Sequence, residues 1–268
     1  MVGAVKTMKG VILAGGTGSR LYPLTQVTNK HLIPVGSLPM IEYPLHTLRQ
    51  LNVSETSIVT GGEHFSAISQ YLMALHPDIS FTYYSQAQAG GIAQALSLVE
   101  PSLGGNSMAV VLGDNVFGGD FHESAGRFEQ SKLGAMLFLK EVPDPKRFGV
   151  AELRGDLIIG IEEKPDNPKS NLAVTGLYFY DETVFDKIRT LKPSGRGEYE
   201  VTDLNNLYLN EKRLGYHVIN GFWSDAGTIK SREVCSSFVR QGLEKRVLQS
   251  LPINAQITKK LKESFGEI

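Results

Sequence analysis

A glycine-rich segment near the N-terminus is the first place where residue types and spacing could do chemistry. It contains Gly15, Gly16 and Gly18 and ends on Arg20, directly after the apolar run 10–14. That run reads as a strand buried on both faces, whose carboxyl end borders the crevice where open α/β sheets bind ligands. Glycines let a phosphate approach the backbone, and a planar guanidinium suits a triphosphate or a departing pyrophosphate. The segment therefore predicts phosphate binding.

The glycine spacing excludes two commoner phosphate-binding loops. A dinucleotide-binding G-x-G-x-x-G motif counted from Gly16 would need a third glycine where Leu21 stands. A Walker A loop counted from Gly15 would need a glycine where Arg20 stands, followed by Lys-Ser or Lys-Thr. The alternative that stays open is a plain tight turn with a solvated arginine.

Two aspartates could hold a hard divalent cation. Asp114 follows the apolar run 109–112 and so stands at the carboxyl end of a strand, beside the same crevice. A carboxylate there is the kind of ligand that Mg²⁺ prefers, although an aspartate next to Gly113 could also cap a turn. Asp225 lies just before the last predicted helix, where N-terminal capping competes with metal binding.

Four further positions have side chains or backbone suited to binding. Lys164 follows a predicted strand, and Arg196 lies in a Gly-Arg-Gly loop that could close over phosphates. Gln86 carries a donor and an acceptor on one amide, which can pair with N3–H and a carbonyl oxygen of thymine or uracil. Gly91 opens a predicted helix and leaves space near such a base. Exposed surface side chains remain the alternative for the three long residues.

Composition narrows the classes of partner and compartment. The 268 residues include 27 basic and 28 acidic side chains, so the net charge of −1 provides no broad positive field for nucleic acid or a membrane surface. The single cysteine predicts a reducing compartment without internal disulfides, and we expect a cytoplasmic protein. The sequence has no apolar stretch near the roughly 18 residues of a membrane span, and its N-terminus lacks a signal-peptide core.

The hydrophobic pattern predicts an α/β fold. Short apolar runs alternate with helical spacing in the first half, which indicates a Rossmann-like, doubly wound, mostly parallel sheet. The predicted strands are 10–14, 57–60, 81–84, 108–112 and 135–139, and the predicted helices are 40–51, 64–75, 92–99 and 121–133. Later elements are strands 150–153, 157–161 and 174–180, helices 183–191 and 201–210, strand 216–219 and one long helix from about 228.

The same pattern predicts a single domain over residues 8–251. Its parts are a nucleotide-binding part at 8–147, an inserted small β subdomain for the sugar at 148–227 and a terminal helix at 228–251. Residues 1–7 are expected to be an extension and residues 252–268 a weakly patterned tail. Pro252 is expected to end or bend the terminal helix.

Collinear motifs resemble those of the glucose-1-phosphate thymidylyltransferases, within the sugar nucleotidyltransferase family. They include LAGGTGSRLYP at 13–23, NKHLIPV at 29–35, LGDN at 112–115, RFGV at 147–150, EEKP at 162–165, VTGLYFY at 174–180 and WSDAG at 223–227. The resemblance runs from about residue 9 to 227 and implies the nucleotide-diphospho-sugar transferase fold. It implies Mg²⁺-assisted transfer of a thymidylyl group from dTTP to glucose 1-phosphate, which gives dTDP-glucose and pyrophosphate.

The resemblance also assigns roles to individual residues. The implied catalytic residues are Arg20, Asp114 and Lys164, and the implied metal ligands are Asp114 and Asp225. The implied nucleotide-binding residues are Leu13, Ala14, Gly15, Gly16, Gly18, Lys30, Gln86, Gly91 and Asp114. The implied sugar-phosphate-binding residues are Asn115, Gly149, Glu163, Lys164, Val174, Thr175, Tyr178 and Arg196. Tyr178 could equally belong to the core, because it lies inside an apolar strand.

Other functions stay open at this stage. A uridylyltransferase would use a nucleotide that differs from the thymidine one only in the base methyl and the ribose hydroxyl. No residue type here decides between these two nucleotides. A metal-dependent glycosyltransferase usually shows Asp-x-Asp where this chain has Asp114-Asn115-Val116. The predicted partners are small molecules, a nucleoside triphosphate and a sugar 1-phosphate, and the sequence allows a homo-oligomer. Because the chain has one helix after Gly227, it resembles the shorter branch of the family.

Overall fold

The protein forms a mixed α/β fold in a computed structural model that describes residues 8–62, 65–103 and 105–252. Its strands are β1 Lys9–Ala14, β2 Pro34–Val35, β3 Leu38–Pro39, β4 Glu55–Gly61, β5 Ser80–Gln86, β6 Met108–Leu112, β7 Asn115–Phe117, β8 Ala135–Glu141, β9 Gly149–Arg154, β10 Leu157–Glu163, β11 Leu172–Tyr180, β12 Leu214–Val218 and β13 Trp223–Asp225. Its α-helices are α1 Glu42–Gln50, α2 Phe65–Leu75, α3 Ile92–Ser97, α4 Glu100–Leu103, α5 His122–Gln130, α6 Val184–Ile188, α7 Val201–Asn210, α8 Ile229–Phe238 and α9 Glu244–Ser250. The extension at 1–7 and the tail from 253 lie outside the described residues.

The central sheet has nine strands, and its path runs β10-β9-β11-β6-β1-β4-β5. Strand β1 lies between β4 and β6 and is parallel to both. Its neighbours cover both of its edges and the helices cover both faces, which explains why its sequence is apolar throughout. The parallel arrangement brings the ends of β1, β5 and β6 to one edge of the sheet, so the residues that follow them meet there.

Side chains of β1 alternate between two hydrophobic cores. Ile12 and Ala14 belong to the core under α1, α2 and α5. Val11 and Leu13 belong to the core under α3, α6 and α7. Helices therefore cover both faces of the sheet, and the predicted doubly wound α/β class is confirmed.

Strand β11 lies antiparallel inside this sheet. Its carboxyl half pairs with β6 and its amino half reaches β9 at Ala173, while β8 follows its other edge. The three strands predicted for a small sugar subdomain are thus continuous with the nucleotide half. The domain boundaries stay a prediction, but the main-chain hydrogen bonds cross the one proposed at residue 148.

The C-terminal helix differs from the prediction of one long helix. Helix α8 ends at Phe238, a π-helical turn spans Val239–Leu243, and α9 follows. Gly242 has φ 129°, far from the negative φ of a helix, and this interrupts the helix at a residue that adopts such a conformation readily. Its two parts pack around a third apolar core with the β2–β3 hairpin. In the described part of the chain, no helix is long and apolar enough to cross a membrane.

Candidate active site

The glycine-rich segment forms a turn between β1 and a short 3-10 helix, Ser19–Leu21. Gly16 and Gly18 have φ 92° and 64°, so the chain reverses where a side chain would be strained. A Cβ on Gly18 would stand 3.0 Å from Cβ of Lys30 and 2.7 Å from Cγ2 of Thr25. The turn therefore packs directly against the segment that carries Lys30.

A first cavity of about 260 Å³ collects the residues predicted for the sugar phosphate. All eight of them line it: Asn115, Gly149, Glu163, Lys164, Val174, Thr175, Tyr178 and Arg196. Arg20, Asp114 and Asp225 also line this cavity. The guanidinium of Arg20 thus extends from the glycine-rich segment to the first cavity.

A second cavity of about 230 Å³ collects most residues predicted for the nucleotide. It is lined by Leu13, Gly15, Gly16, Lys30, Gln86, Gly91 and Asp114 among others. Two residues predicted for the nucleotide, Ala14 and Gly18, do not line this second cavity, and Ala14 is fully buried. Ile92, Leu112, Asp114 and Glu198 line both cavities, so the two spaces meet beside Asp114.

Asp114 is held between a lysine and an asparagine. Nζ of Lys30 lies 2.8 Å from Oδ2, and Nδ2 of Asn115 donates to Oδ1 at 3.0 Å. Burial alone would raise the pKa of this carboxyl, but the charge and hydrogen bond of Lys30 outweigh it and bring the pKa to about 2. Asp114 is therefore ionised at any pH at which the protein is expected to work.

A two-stranded ribbon, β7 with β13, places Asp225 close to Asp114. Strand β13 pairs with β7 so that Asp225 lies opposite Asn115, and the amide of Ala226 donates to the carbonyl of Asp114 at 2.7 Å. A Cβ on Gly227 would stand 3.2 Å or less from Oδ1 of Asp225, Oδ2 of Asp114 and Nη2 of Arg20. The two carboxylates and the arginine therefore converge on one small space.

The helix-capping alternative for Asp225 is wrong. The residue that caps α8 is Thr228, whose hydroxyl accepts a hydrogen bond from the amide of Ser231 while the Ser231 hydroxyl accepts one from the Thr228 amide. Asp225 instead accepts hydrogen bonds from the amide of Gly227 at 3.0 Å and from Nη2 of Arg147 at 3.0 Å. Its Oδ1 also accepts a hydrogen bond from the Ser231 hydroxyl at 3.3 Å, and the residue lines the first cavity.

The donor set at this point suits a hard cation that keeps some water or substrate ligands. Among the described residues, no group of three or more His, Cys, Asp or Glu side chains could form a complete protein cage. Asp114 and Asp225 supply two carboxylates, and Mg²⁺ sites commonly use one or two carboxylates together with substrate phosphates. Each carboxylate also contacts a cation, Lys30 or Arg147, so neither charge is left uncompensated.

Asn115 fixes the position of Asp114 through its own hydrogen bonds. Its Oδ1 accepts hydrogen bonds from the amide of Gly176 at 3.0 Å and from Nε1 of Trp223 at 2.7 Å. Its Nδ2 donates to Asp114, and only 2% of the residue is exposed. These contacts tie β7, β11 and β13 together, while the predicted contact of Asn115 with the sugar phosphate stays a prediction.

Lys164 and its neighbours form the far wall of the first cavity. Lys164 has φ 45°, a conformation that costs free energy for a residue with a side chain, and its amide donates to the carbonyl of Phe148. Its Nζ lies 3.4 Å from Oε1 of Glu163, whose Oε2 accepts from the Thr202 hydroxyl at 2.6 Å. Strained backbone of this kind often occurs at binding sites, where the surrounding contacts maintain it.

Arg196 is surrounded by carboxylates in the loop before α7. Its Nη2 lies 2.8 Å and 2.9 Å from the two oxygens of Glu200 and 3.3 Å from Oε1 of Glu163. The hydrogen bond to Glu200 is the main reason why the pKa of Arg196 is raised further. The guanidinium is thus held at the rim of the first cavity.

Tyr178 combines the two roles between which the sequence did not decide. It is 3% exposed and its ring stacks on Tyr180 at 6.0 Å between centroids. It also lines the first cavity. Burial raises the pKa of its hydroxyl, so that hydroxyl stays protonated.

Sequence reasoning missed three residues that hold this site together. Arg147 pairs with Asp225, Trp223 donates to Asn115, and Glu200 holds Arg196. Arg147 and Trp223 lie inside motifs that carry the family resemblance, which was the available signal. Glu200 follows Arg196 by only four residues, but Arg196 precedes α7, so the pair is not a spacing within one helix that the sequence pattern would mark.

Comparison with known proteins gives a consistent result. The family model described as Nucleotidyl transferase matches residues 9–242. The chain is 41% identical to a glucose-1-phosphate thymidylyltransferase of Neisseria meningitidis, covering 87% of this chain and 83% of that one. It is 42% identical to the enzyme of the same name from Mycobacterium tuberculosis, covering 89% of this chain and 84% of that one. A Bacillus anthracis crystal structure, described as a candidate glucose-1-phosphate thymidylyltransferase in complex with sucrose, is 50% identical with a TM-score of 0.83, covering 87% and 95% of the two chains.

Proposed function

The chain belongs to the nucleotidyl transferase family, and on that premise we propose that it transfers a thymidylyl group from dTTP to glucose 1-phosphate. The products are dTDP-glucose and pyrophosphate. Relatives about 41% identical over most of the chain carry the name of this activity, which supports the choice of both substrates. The observation that carries the proposal is that Asp114 lines two adjoining cavities, one suited to each substrate.

The proposed reaction is an in-line displacement at phosphorus. A phosphate oxygen of glucose 1-phosphate attacks the α-phosphorus of dTTP, and the bond from that phosphorus to the oxygen of the departing pyrophosphate breaks. The attacking oxygen is already ionised, so no covalent protein intermediate and no base are required. The protein must bring two anions together, which makes charge neutralisation and alignment its main tasks.

Three cations of the chain are suited to that task. Arg20 lines the first cavity beside Asp114, where its guanidinium would stabilise the charge that develops on pyrophosphate. Lys164 and Arg196 line the first cavity, where they would bind the sugar phosphate. Glu163 would accept hydrogen bonds from sugar hydroxyls, and its contact with Thr202 fixes its orientation.

A divalent cation completes the proposal. Asp114 and Asp225 would hold Mg²⁺ with phosphate oxygens as further ligands. Bound there, Mg²⁺ supplies Lewis-acid neutralisation of the phosphate charge. Lys30 contacts Asp114 and lines the nucleotide cavity, so its ammonium can approach the triphosphate while it holds the carboxylate.

The two other activities considered for this sequence are not favoured. The names of the relatives specify thymidylyl transfer rather than uridylyl transfer. The family match covers most of the chain with a nucleotidyl transferase model rather than a glycosyltransferase one. The partners that remain are small molecules, and we place the activity in the cytoplasm, where a nucleoside triphosphate and the reduced Cys235 would both be expected. A homo-oligomer stays a prediction.

A grid of pyrophosphate-release assays tests the proposal. Purified protein with Mg²⁺ is given dTTP, dUTP, UTP, dCTP or ATP, each with glucose 1-phosphate or N-acetylglucosamine 1-phosphate. We expect dTTP with glucose 1-phosphate to give the highest kcat/KM, and chelation of the metal to abolish release. Absence of turnover with every pair would overturn the proposed function.

A further inference from the structure

Two glutamine side chains face each other beside the second cavity. Gln86 ends β5, and Gln94 lies one turn into α3. The amide nitrogen of Gln86, Nε2, donates to Oε1 of Gln94 at 2.7 Å. Gln94 was not among the predicted site residues, and it does not itself line the cavity.

This hydrogen bond gives the Gln86 amide a direction. A primary amide can rotate by 180° about its last bond, which exchanges its donor and acceptor positions. With the oxygen of Gln94 facing it, the Gln86 amide can present only Nε2 there, and the opposite arrangement requires both amides to rotate together. Oε1 of Gln86 then points away from Gln94 and, among the described residues, accepts no hydrogen bond, so it is available to a ligand.

Two glycines leave the space that this pair occupies. A Cβ on Gly15 would stand 2.4 Å from Oε1 of Gln86, so only glycine admits the amide beside the phosphate-binding turn. A Cβ on Gly90 would stand 3.1 Å from Cγ of Gln94 and 3.3 Å from its Oε1. The pair is thus confined between the turn after β1 and the start of α3.

We infer that Gln94 is a positioning residue that selects the base through the orientation of Gln86. With Nε2 directed to Gln94, Gln86 offers an acceptor to a ring N3–H and its second N–H to an adjacent carbonyl oxygen. Thymine and uracil have that pattern, whereas cytosine has an acceptor at N3 and an amino group beside it. Gln94 therefore favours thymine or uracil over cytosine. The inference rests on the proposed function, since it presumes a nucleotide in this cavity.

Substitution of Gln94 separates this role from a structural one. Gln94→Met keeps the length of the side chain and removes the acceptor, so the Gln86 amide can rotate. We expect kcat/KM for dTTP to fall by about tenfold, mostly through KM, while kcat/KM for dCTP stays or rises. The KM for glucose 1-phosphate is expected to stay unchanged, because that substrate occupies the other cavity.

Two further variants complete the experiment. Gln94→Glu retains an acceptor for Nε2 and should keep the dTTP-to-dCTP ratio within about threefold of wild type. Gln70→Met changes an exposed glutamine of α2 and should leave both substrates unaffected. An unchanged ratio in a folded Gln94→Met, or an equal loss in Gln94→Glu, would overturn the inference. A wild-type enzyme without dTTP turnover would instead refute the proposed function.

Discussion

Asp114 places a charged carboxylate at the point where the two cavities meet. Its carboxylate contacts Lys30, rests on Asn115 and borders both cavities. Asparagine at this position would keep the shape and lose the charge, which is the property that a metal ligand needs.

Asp114→Asn is expected to lower kcat by at least about a hundredfold, because several kcal/mol of transition-state stabilisation depend on the bound cation. The variant should still fold, with a thermal midpoint lowered by about a few degrees because the ion pair with Lys30 is lost. Asp156→Asn, in the exposed β9–β10 turn, is the matched control and should have wild-type turnover. Steady-state kinetics and a melting curve for each variant measure these two effects. An unaltered kcat in Asp114→Asn would show that Asp114 does not belong to the site.

Cys235 is expected to be inert toward thiol reagents in the folded protein. The residue is fully buried, and burial raises the pKa of its thiol to about 12. The reactive thiolate is therefore scarce at neutral pH. Titration with an aromatic disulfide reagent should detect no thiol in the native protein and one in denaturant, because the chain has one cysteine. Rapid reaction of the native protein would contradict the buried position.

At the residue scale, sequence could predict the chemistry but not the contacts between the groups. Asp114 was predictable because an apolar strand ends just before it. The pairing of Arg147 with Asp225 was not, since it depends on β13 meeting β7 across more than a hundred residues. The same ribbon brings Trp223 to Asn115.

At the scale of elements, the start of α3 is joined to the loop that carries Arg196. The amide of Tyr199 donates to the carbonyl of Gly90 at 2.8 Å, and the amide of Ala93 donates to the carbonyl of Tyr199 at 3.2 Å. Glu198, next to Tyr199, lines both cavities. A displacement of the backbone at the start of α3 should therefore reach the first cavity through this junction, whereas a side-chain change that leaves the backbone in place should not.

Gly91→Ala tests that junction. Gly91 has φ 95°, and a Cβ there would stand 2.6 Å from the carbonyl oxygen of Tyr199. We expect a loss of about 1–3 kcal/mol in the free energy of unfolding, and a rise in KM for both substrates. Urea unfolding and two-substrate kinetics measure these effects.

Gly126→Ala provides the matched control on α5. A Cβ at Gly126 would meet nothing within 4 Å, so alanine should raise the free energy of unfolding by about 0.5–1 kcal/mol without a kinetic effect. A Gly91→Ala enzyme with normal KM for glucose 1-phosphate would show that the junction does not connect the two cavities.

Strand and helix positions were predictable where periodicity is strong, and partners were not. The run that became β11 was identified as a strand, yet its pattern does not reveal that it inserts antiparallel between β6 and β8. Apolar spacing continues through the π-helical turn, which is why the C-terminal helix appeared unbroken. Only the backbone conformation at Gly242 reveals the interruption.

At the scale of the whole molecule, a histidine joins an early helix to the last one. His46 on α1 lies 3.2 Å through Nδ1 from the hydroxyl of Ser250 at the end of α9, and it is 9% exposed. Burial, followed by the charges of Arg246 and Arg49, lowers the pKa of His46 to about 4. In the unfolded chain its pKa returns to about 6.5, so between these values the unfolded state binds more protons.

The fold should therefore lose stability as the pH falls from about 6.5 toward 4. His46→Gln removes this proton uptake. Between about pH 8 and about pH 5, we expect the loss of unfolding free energy to be smaller in the variant than in wild type by roughly 1–2 kcal/mol. Denaturant unfolding at both pH values measures the difference. His122→Gln, at an exposed position of α5, should keep the wild-type dependence. Equal losses in wild type and His46→Gln would show that this histidine is not the responsible group.

The unbroken sheet has a mechanical consequence. Hydrogen-bonded strands connect β5, beside the second cavity, to β10, beside the first, so the sheet in the described chain offers no hinge between the two cavities. Rigid halves cannot swing together over the substrates. Any movement that accompanies turnover must come from segments attached to the sheet, such as the turn after β1 and the loop that carries Arg196. The distance between the two bound reactants would then be set by the spacing of the strands in a rigid sheet. It would not depend on one half of the molecule closing over the other.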